Sequence, residues 1–335
     1  MSRRPPLSLG VLGLGEAWET TYRPALERLG ERTKLAAVYA SAWNAGDGLT
    51  RSLNCQHAGS MRALMRSGLD GVIVLDPGWY GWFPVRAAID AGCNLCSPLP
   101  QKCDPQSLAT LASEAKSRGV LIVPELRLRA TPATLRLREL LATEMGPISE
   151  ITIGAASRTC PGGRRVLTEI IDWCQVVIGT APETIACLGH STGTPHEQRT
   201  VTLTFRPPKG RSEPTRVAIQ LAWPHTVVNS VEERGVKLPP ADVWPLEFCI
   251  ACRDGEARLE DAVHLRWRCG GREREESLST ERTAASVVID HFARRLAGGL
   301  IPVPDLMDVS RACELARLAD ESMHHGGSVL ACRPD

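Results

Sequence analysis

Up to about residue 125 the chain alternates short apolar runs with stretches of helical spacing, and few folds accept that rhythm. The runs 7–12, 34–39, 71–75, 94–96 and 120–123 have the length of strands. Between them, 19–29 sets Tyr22, Ala25, Leu26 and Leu29 at helical intervals, and 84–91 and 105–117 repeat the pattern, the last with Asp104 placed to cap it. Strands apolar on both faces and separated by helices form βαβ units, so a parallel sheet covered on both sides is predicted.

Past that point the texture changes. Segments 148–155, 200–205, 216–222, 247–253 and 263–268 read as longer strands joined by polar turns, with a helix at 165–178 among them. Helices at 283–297 and 305–323 follow, separated by Gly298-Gly299 and a Pro-containing link. The prediction is an α/β chain: a parallel-sheet domain over 1–127, then an α/β domain over 128–335 with an open, mostly antiparallel or mixed sheet.

The 335 residues suffice for two cores. With 39 basic against 38 acidic residues, neither nucleic acid nor a membrane surface is an expected partner. Arg127, Arg129, Arg136 and Arg138 cluster, at a spacing that suits the solvated face of a strand and helix. No run approaches the roughly 18 apolar residues of a membrane helix. The start lacks an apolar region ahead of the first strand, so the cytoplasm is the expected location. Twelve cysteines include two CxxC pairs, Cys93/Cys96 and Cys249/Cys252, too far apart in sequence for a zinc ribbon. Each pair lies in a strand-like run, where residues three apart face opposite sides, so no metal site is expected.

The first strand leads into Gly13-Leu14-Gly15-Glu16-Ala17-Trp18. In a dinucleotide fingerprint the first glycine permits a tight turn, the second lets backbone approach the pyrophosphate, and the third allows close packing of helix on strand. Here the third place is Trp18, which must either cover the crevice as a lid or fill it. Glu16 suits a helix N-terminus but competes with a phosphate for the same amides. The second strand ends at Tyr39-Ala40-Ser41, with Ser41 where an acid would hold ribose hydroxyls, a departure that leans towards NADP over NAD. The turn is either a nucleotide site or a remnant the fold still needs.

The order of segments resembles the Gfo/Idh/MocA family of NAD(P)-dependent oxidoreductases over nearly the whole chain. VLGLGEAW matches the opening glycine turn and DGVIVLDPGWYGWFPVRAAIDAG the third strand, Pro-containing loop and helix. AGCNLCSPLPQKCDPQSLATLASEAKSRGVLIV matches the fourth strand through the fifth, and SVVIDHFARRLAGGLIPVPDLMDVSRACELARLADESMHHGGSVL the last two helices. The resemblance implies a Rossmann domain and an α/β domain whose open sheet mediates homo-oligomerisation. It implies NAD or NADP as cofactor, and a sugar or polyol-like small molecule as substrate. Gly13, Gly15, Glu16, Trp18, Ser41, Asp76, Pro77, Trp79 and Pro98 fall at the cofactor-binding positions.

The family's chemistry is less well matched. Its Glu-Lys-Pro falls on Pro98, Leu99 and Pro100, and leucine can neither move a proton nor stabilise an alkoxide. Its Asp and His fall on Arg165 and Glu169, with Asp172 matching the following aspartate. Hydride transfer to a carbonyl needs a proton moved in concert, so the usual alcohol oxidation lacks its base.

Other residues offer replacements. Trp79 and Tyr80, with Trp82, follow the third strand and form either a stacking wall for a ligand or a cap on the core. Glu125 can act as a base, and Arg127 or Arg129 can hold an anion; an interdomain salt bridge is the plainer reading. Glu169 and Asp172 share a helix face, as an acid–base pair or as acids favoured by the helix dipole. Two functions remain open: an oxidoreductase working through Tyr80, Glu125, Glu169 and Asp172, or a non-catalytic pseudoenzyme serving as ligand sensor or scaffold.

Overall fold

Six of the apolar and neighbouring runs become parallel strands, because residues buried on both faces leave no polar side for an antiparallel surface sheet. They are β1 (Leu7–Leu12), β2 (Thr33–Tyr39), β3 (Gln56–His57), β4 (Gly71–Val74), β5 (Leu95–Pro98) and β6 (Ile122–Glu125), in the order β3-β2-β1-β4-β5-β6. This is the strand order of a dinucleotide-binding fold. The computed structural model describes residues 5–14, 17–40, 53–75, 80–100, 104–156, 163–190, 196–207, 212–224 and 246–332.

The helices of this part are α1 (Arg23–Glu27), α2 (Met61–Met65), α3 (Phe83–Ala91) and α4 (Pro105–Ser117). Asp104 caps α4 as the sequence suggests, accepting from the Ser107 amide at 2.8 Å.

By its internal contacts the chain divides into two compact units: Met1–Ala130 with Arg282–Arg311, and Thr131–Glu281 with Ala312–Asp335. The first therefore includes α7 (Ala284–Leu296), which sequence order alone assigns to the C-terminal domain. Gly71 shows why it packs there: a Cβ on Gly71 would stand 2.7 Å from Phe292 Cζ, so the helix lies flush on β4 only because that side chain is missing.

The second unit carries a nine-stranded sheet of β7 (Ile148–Ala156), β8 (Pro182–His190), β9 (His196–Phe205), β10 (Thr215–Pro224), β11 (Leu246–Cys252), β12 (Gly255–Leu259), β13 (His264–Cys269), β14 (Arg272–Ser277) and β15 (Leu330–Ala331). The order is β14-β13-β12-β11-β7-β10-β9-β8-β15. Only β7 and β10 pair in parallel, so the sheet is mixed. Its strands alternate as a half-covered sheet should. Ile151, Ile153, Leu203, Val217 and Ile219 are fully buried, while the other face bears cross-strand ion pairs such as Arg258–Glu247, Arg268–Glu256 and Arg266–Glu275. α5 (Pro132–Leu140), α6 (Gly163–Ile178) and α8 (Leu306–His324) complete the elements used below. No helix of the described residues is long and apolar enough to cross a membrane.

Candidate functional site

β1 ends in a sharp turn at Gly13, whose φ of +86° lies in the left-handed region that favours glycine. Its amide donates to the Tyr39 carbonyl at 2.8 Å, tying the bend to the end of β2. The next described residues enter a π-wound turn, Trp18–Tyr22, which passes into α1 at Arg23. Trp18 is 4% exposed, so of its two options the indole fills space and does not act as an open lid. A π turn is wider than an α turn, and here it coincides with an indole at the place of the third glycine. The indole Nε1–H is buried without a hydrogen-bond partner among the described residues. Gly15, Glu16, Ser41, Asp76, Pro77 and Trp79 lie outside the described residues.

The carboxyl ends of β5 and β6 meet with Pro98 opposite Glu125. Leu99, which follows, has no exposed surface, and Pro98 is buried as well. An aliphatic side chain thus sits in a dry position where the family resemblance would place an ammonium.

Beside it three polar groups close on one another. Tyr22 OH donates to Glu125 Oε2 at 2.7 Å, and Arg127 donates through Nε to Glu125 Oε1 at 2.9 Å and through Nη2 to Tyr22 OH at 2.6 Å. The guanidinium also lies 5.5 Å from the Tyr22 ring centroid. Burial, reinforced by the Glu125 charge, holds the Tyr22 phenol well above its ordinary value, and the same two causes push up the Cys96 thiol. Glu125 is committed to a cation and a phenol, so using it as a base would first require breaking both contacts. Tyr22 was visible in the sequence only as one member of an apolar helix stripe; its hydroxyl, the one polar atom on that stripe, was the signal for a buried partner.

Arg129 reaches Asp308 at 3.2 Å, and both belong to the first unit, as do Arg127 and Glu125. Tyr80 is partly exposed, in the turn before α3, where Trp82 lines a cleft of about 300 Å³ with Phe83, Arg86, Ser107, Thr110 and Leu111.

In the second unit α6 buries both of its acids: Glu169 is 6% and Asp172 1% exposed. Glu169 pairs with Arg165 at 3.3 Å, the i,i+4 geometry of one helix face. The neighbouring Trp173 is buried and donates to Thr134 Oγ1 at 2.9 Å, with its ring 4.4 Å from that of Phe248. The first unit thus brings together Tyr22, Glu125 and Arg127 near Leu99; the second brings together Arg165 and Glu169 with Asp172 alongside. Among the described residues no group of three or more His, Cys, Asp or Glu side chains is placed to hold a metal.

No protein-family model matches this chain, and no curated protein matches it in sequence. Solved structures do. UDP-N-acetylglucosamine 3-dehydrogenase from Acidithiobacillus ferrooxidans matches 96% of this chain and 99% of its own, at TM-score 0.71 and 18% identity. An NAD binding oxidoreductase from Klebsiella pneumoniae matches 98% and 100%, at TM-score 0.74 and 13% identity. An oxidoreductase from Sinorhizobium meliloti matches 98% and 100%, at 0.73 and 16%. The chain has the fold of the Gfo/Idh/MocA-type dehydrogenases. At such identities the likeness concerns the fold, and the function of this chain has to be argued from its own side chains.

Tested against NAD or NADP, those side chains divide. The strand, the positive-φ bend at Gly13 and the helix after it fit the phosphate end of a dinucleotide. Where the resemblance would place the nicotinamide, buried Leu99 offers no group for proton transfer.

Proposed function

We propose that this chain is a non-catalytic relative of the Gfo/Idh/MocA oxidoreductases, a sensor or scaffold that binds NAD or NADP as a ligand without turning it over. The observation that carries the reading is the complete burial of Leu99, the residue that the resemblance sets against the family's lysine. The paired states of Glu125, held by Arg127, and of Glu169, held by Arg165, support it. Gly13, Gly15, Glu16, Trp18, Ser41, Asp76, Pro77, Trp79 and Pro98 would line the dinucleotide, and a sugar or polyol-like molecule would meet Trp79, Tyr80, Arg127, Arg129, Glu169 and Asp172. The open face of the second sheet, patterned with cross-strand ion pairs, suits a second copy of the chain. The free thiols of the described cysteines suit a reducing cytoplasm.

The test is a titration of NADH and NADPH followed by energy transfer from protein tryptophan, alongside a screen of sugars and polyols for cofactor reduction. Saturable binding without turnover is expected. No binding at millimolar dinucleotide would overturn the ligand assignment. Substrate-dependent reduction would instead establish the oxidoreductase reading, which the likeness to dehydrogenase structures favours, with Tyr80, Glu125, Glu169 and Asp172 as the groups to mutate first.

A further inference from the structure

Midway along α7 stands a carboxylate, Asp290, with only 4% of its side chain exposed. Three guanidiniums converge on it. Arg294, one turn further along the helix, reaches Oδ2 at 2.9 Å, and Arg282, just ahead of the Thr283 N-cap, reaches the same oxygen at 3.1 Å. Arg32, from the turn before β2, comes within 2.9 Å of Oδ1, outside hydrogen-bond geometry. All four residues belong to the first unit. Burial alone would raise the Asp290 carboxyl, but Arg32 and Arg294 outweigh it and hold the group below the ordinary aspartate range.

One carboxylate balances one of these three cations. Among the described residues no other acid pairs with Arg32, Arg282 or Arg294. Each arginine keeps about half its side chain in water, at 54%, 54% and 51%. With one anion among three cations, the cluster keeps an excess of positive charge. A guanidinium carries five donors, and Asp290 occupies few of them, so most remain on the exposed side of a common buried anchor. The place is also distinct. Leu7 pairs with Thr33 and Leu12 with Tyr39, so Arg32 lies at the opposite end of the parallel sheet from Gly13.

We propose that Arg32, Arg282 and Arg294, drawn together by Asp290, form a binding site for the dianionic oxygens of a phosphoryl group, separate from the glycine bend. Planar forks recognise such a group bidentately, and a dianion supplies the charge the cluster lacks. His291, the adjacent residue, offers a reporter. Burial lowers its pKa and Arg294 and Arg282 lower it further, against the pull of Asp290. A bound dianion would raise it.

The experiment titrates the full-length protein with inorganic phosphate against sodium chloride of matched ionic strength, reading the thermal midpoint and the His291 ring resonance. Phosphate is expected to raise the midpoint saturably and to move the His291 titration upward. The double variant Arg282→Gln/Arg294→Gln should weaken the phosphate response by about tenfold or more. Asp290→Asn should lose stability in phosphate-free buffer and regain it when phosphate is added, as the ion takes the carboxylate's place. A parallel arm with glycerol phosphate separates sources: tighter binding than inorganic phosphate supports a phosphoester ligand, equal binding the free ion. An identical response to phosphate and chloride, in the wild type and in Asp290→Asn, would overturn the proposal and leave a structural ion-pair cluster.

Discussion

Tyr22 donates its phenolic proton to Glu125 across 2.7 Å, and both side chains are buried, although 103 positions separate them in sequence. The bond joins the first helix after the glycine bend to the carboxyl end of β6, with Arg127 closing the third side. Because the three groups satisfy one another, their removal should be felt first in stability.

Tyr22→Phe removes one donor from a buried carboxylate and should cost about 1.5–3 kcal/mol. Arg127→Ala should cost more, about 3–5 kcal/mol, since it leaves the Glu125 charge buried without its cation. Urea denaturation of both variants measures this. A smaller loss for Arg127→Ala than for Tyr22→Phe would mean that the phenol, not the guanidinium, does most to hold the Glu125 carboxyl in place.

Leu99→Lys restores the residue type of the family motif but places an ammonium where no surface is exposed. Several kcal/mol of destabilisation is expected, with no sugar-dependent cofactor reduction. Leu99→Met, which keeps volume and apolarity, should cost less than about 1.5 kcal/mol. Turnover gained by the lysine variant would show that the crevice still accepts both reactants and would refute the non-catalytic reading.

Trp18→Gly would complete the glycine fingerprint while emptying the space that a 4% exposed indole fills. The cavity should cost about 3–5 kcal/mol. NADH affinity, read by isothermal calorimetry at a temperature where the variant remains folded, should rise as the third position opens. An unchanged affinity would place Trp18 outside the dinucleotide's reach.

His291 sets a pH dependence. Its pKa is lowered in the native state, so folding favours the neutral ring. The associated stability is complete above the unfolded value of about 6.5 and is lost as pH falls through the lower native value. Denaturation midpoints should therefore decline from about pH 7 downward, and His291→Gln should flatten that slope. Asp290, also lowered, adds a loss of the same sign in the acid range near and below about pH 4.

Part of this was readable from residue order. The run 7–12 is found as the strand Leu7–Leu12, and 105–117 as a helix with Asp104 at its cap. The parallel sheet and the glycine bend at Gly13 stand where the periodicity put them. Other elements were missed for a definite reason. β14 (Arg-Glu-Arg-Glu-Glu-Ser) has no apolar alternation because it is an exposed edge strand, and its one available signal was Gly270-Gly271, whose φ values of +56° and +74° make the tight turn from β13. The helix at 283–297 was recognised as a helix, but its packing on β4 through Phe292 was not.

The division has a physical basis. Periodicity, caps and positive-φ turns are interactions among residues a few positions apart, so their record lies in consecutive letters. Whether Glu125 is a free base or a paired anion, whether Trp18 covers a crevice or fills it, and which carboxylate gathers Arg32, Arg282 and Arg294 depend on groups that meet only once the strands are ordered. Burial then sets their charge and reach, and burial belongs to the folded chain as a whole.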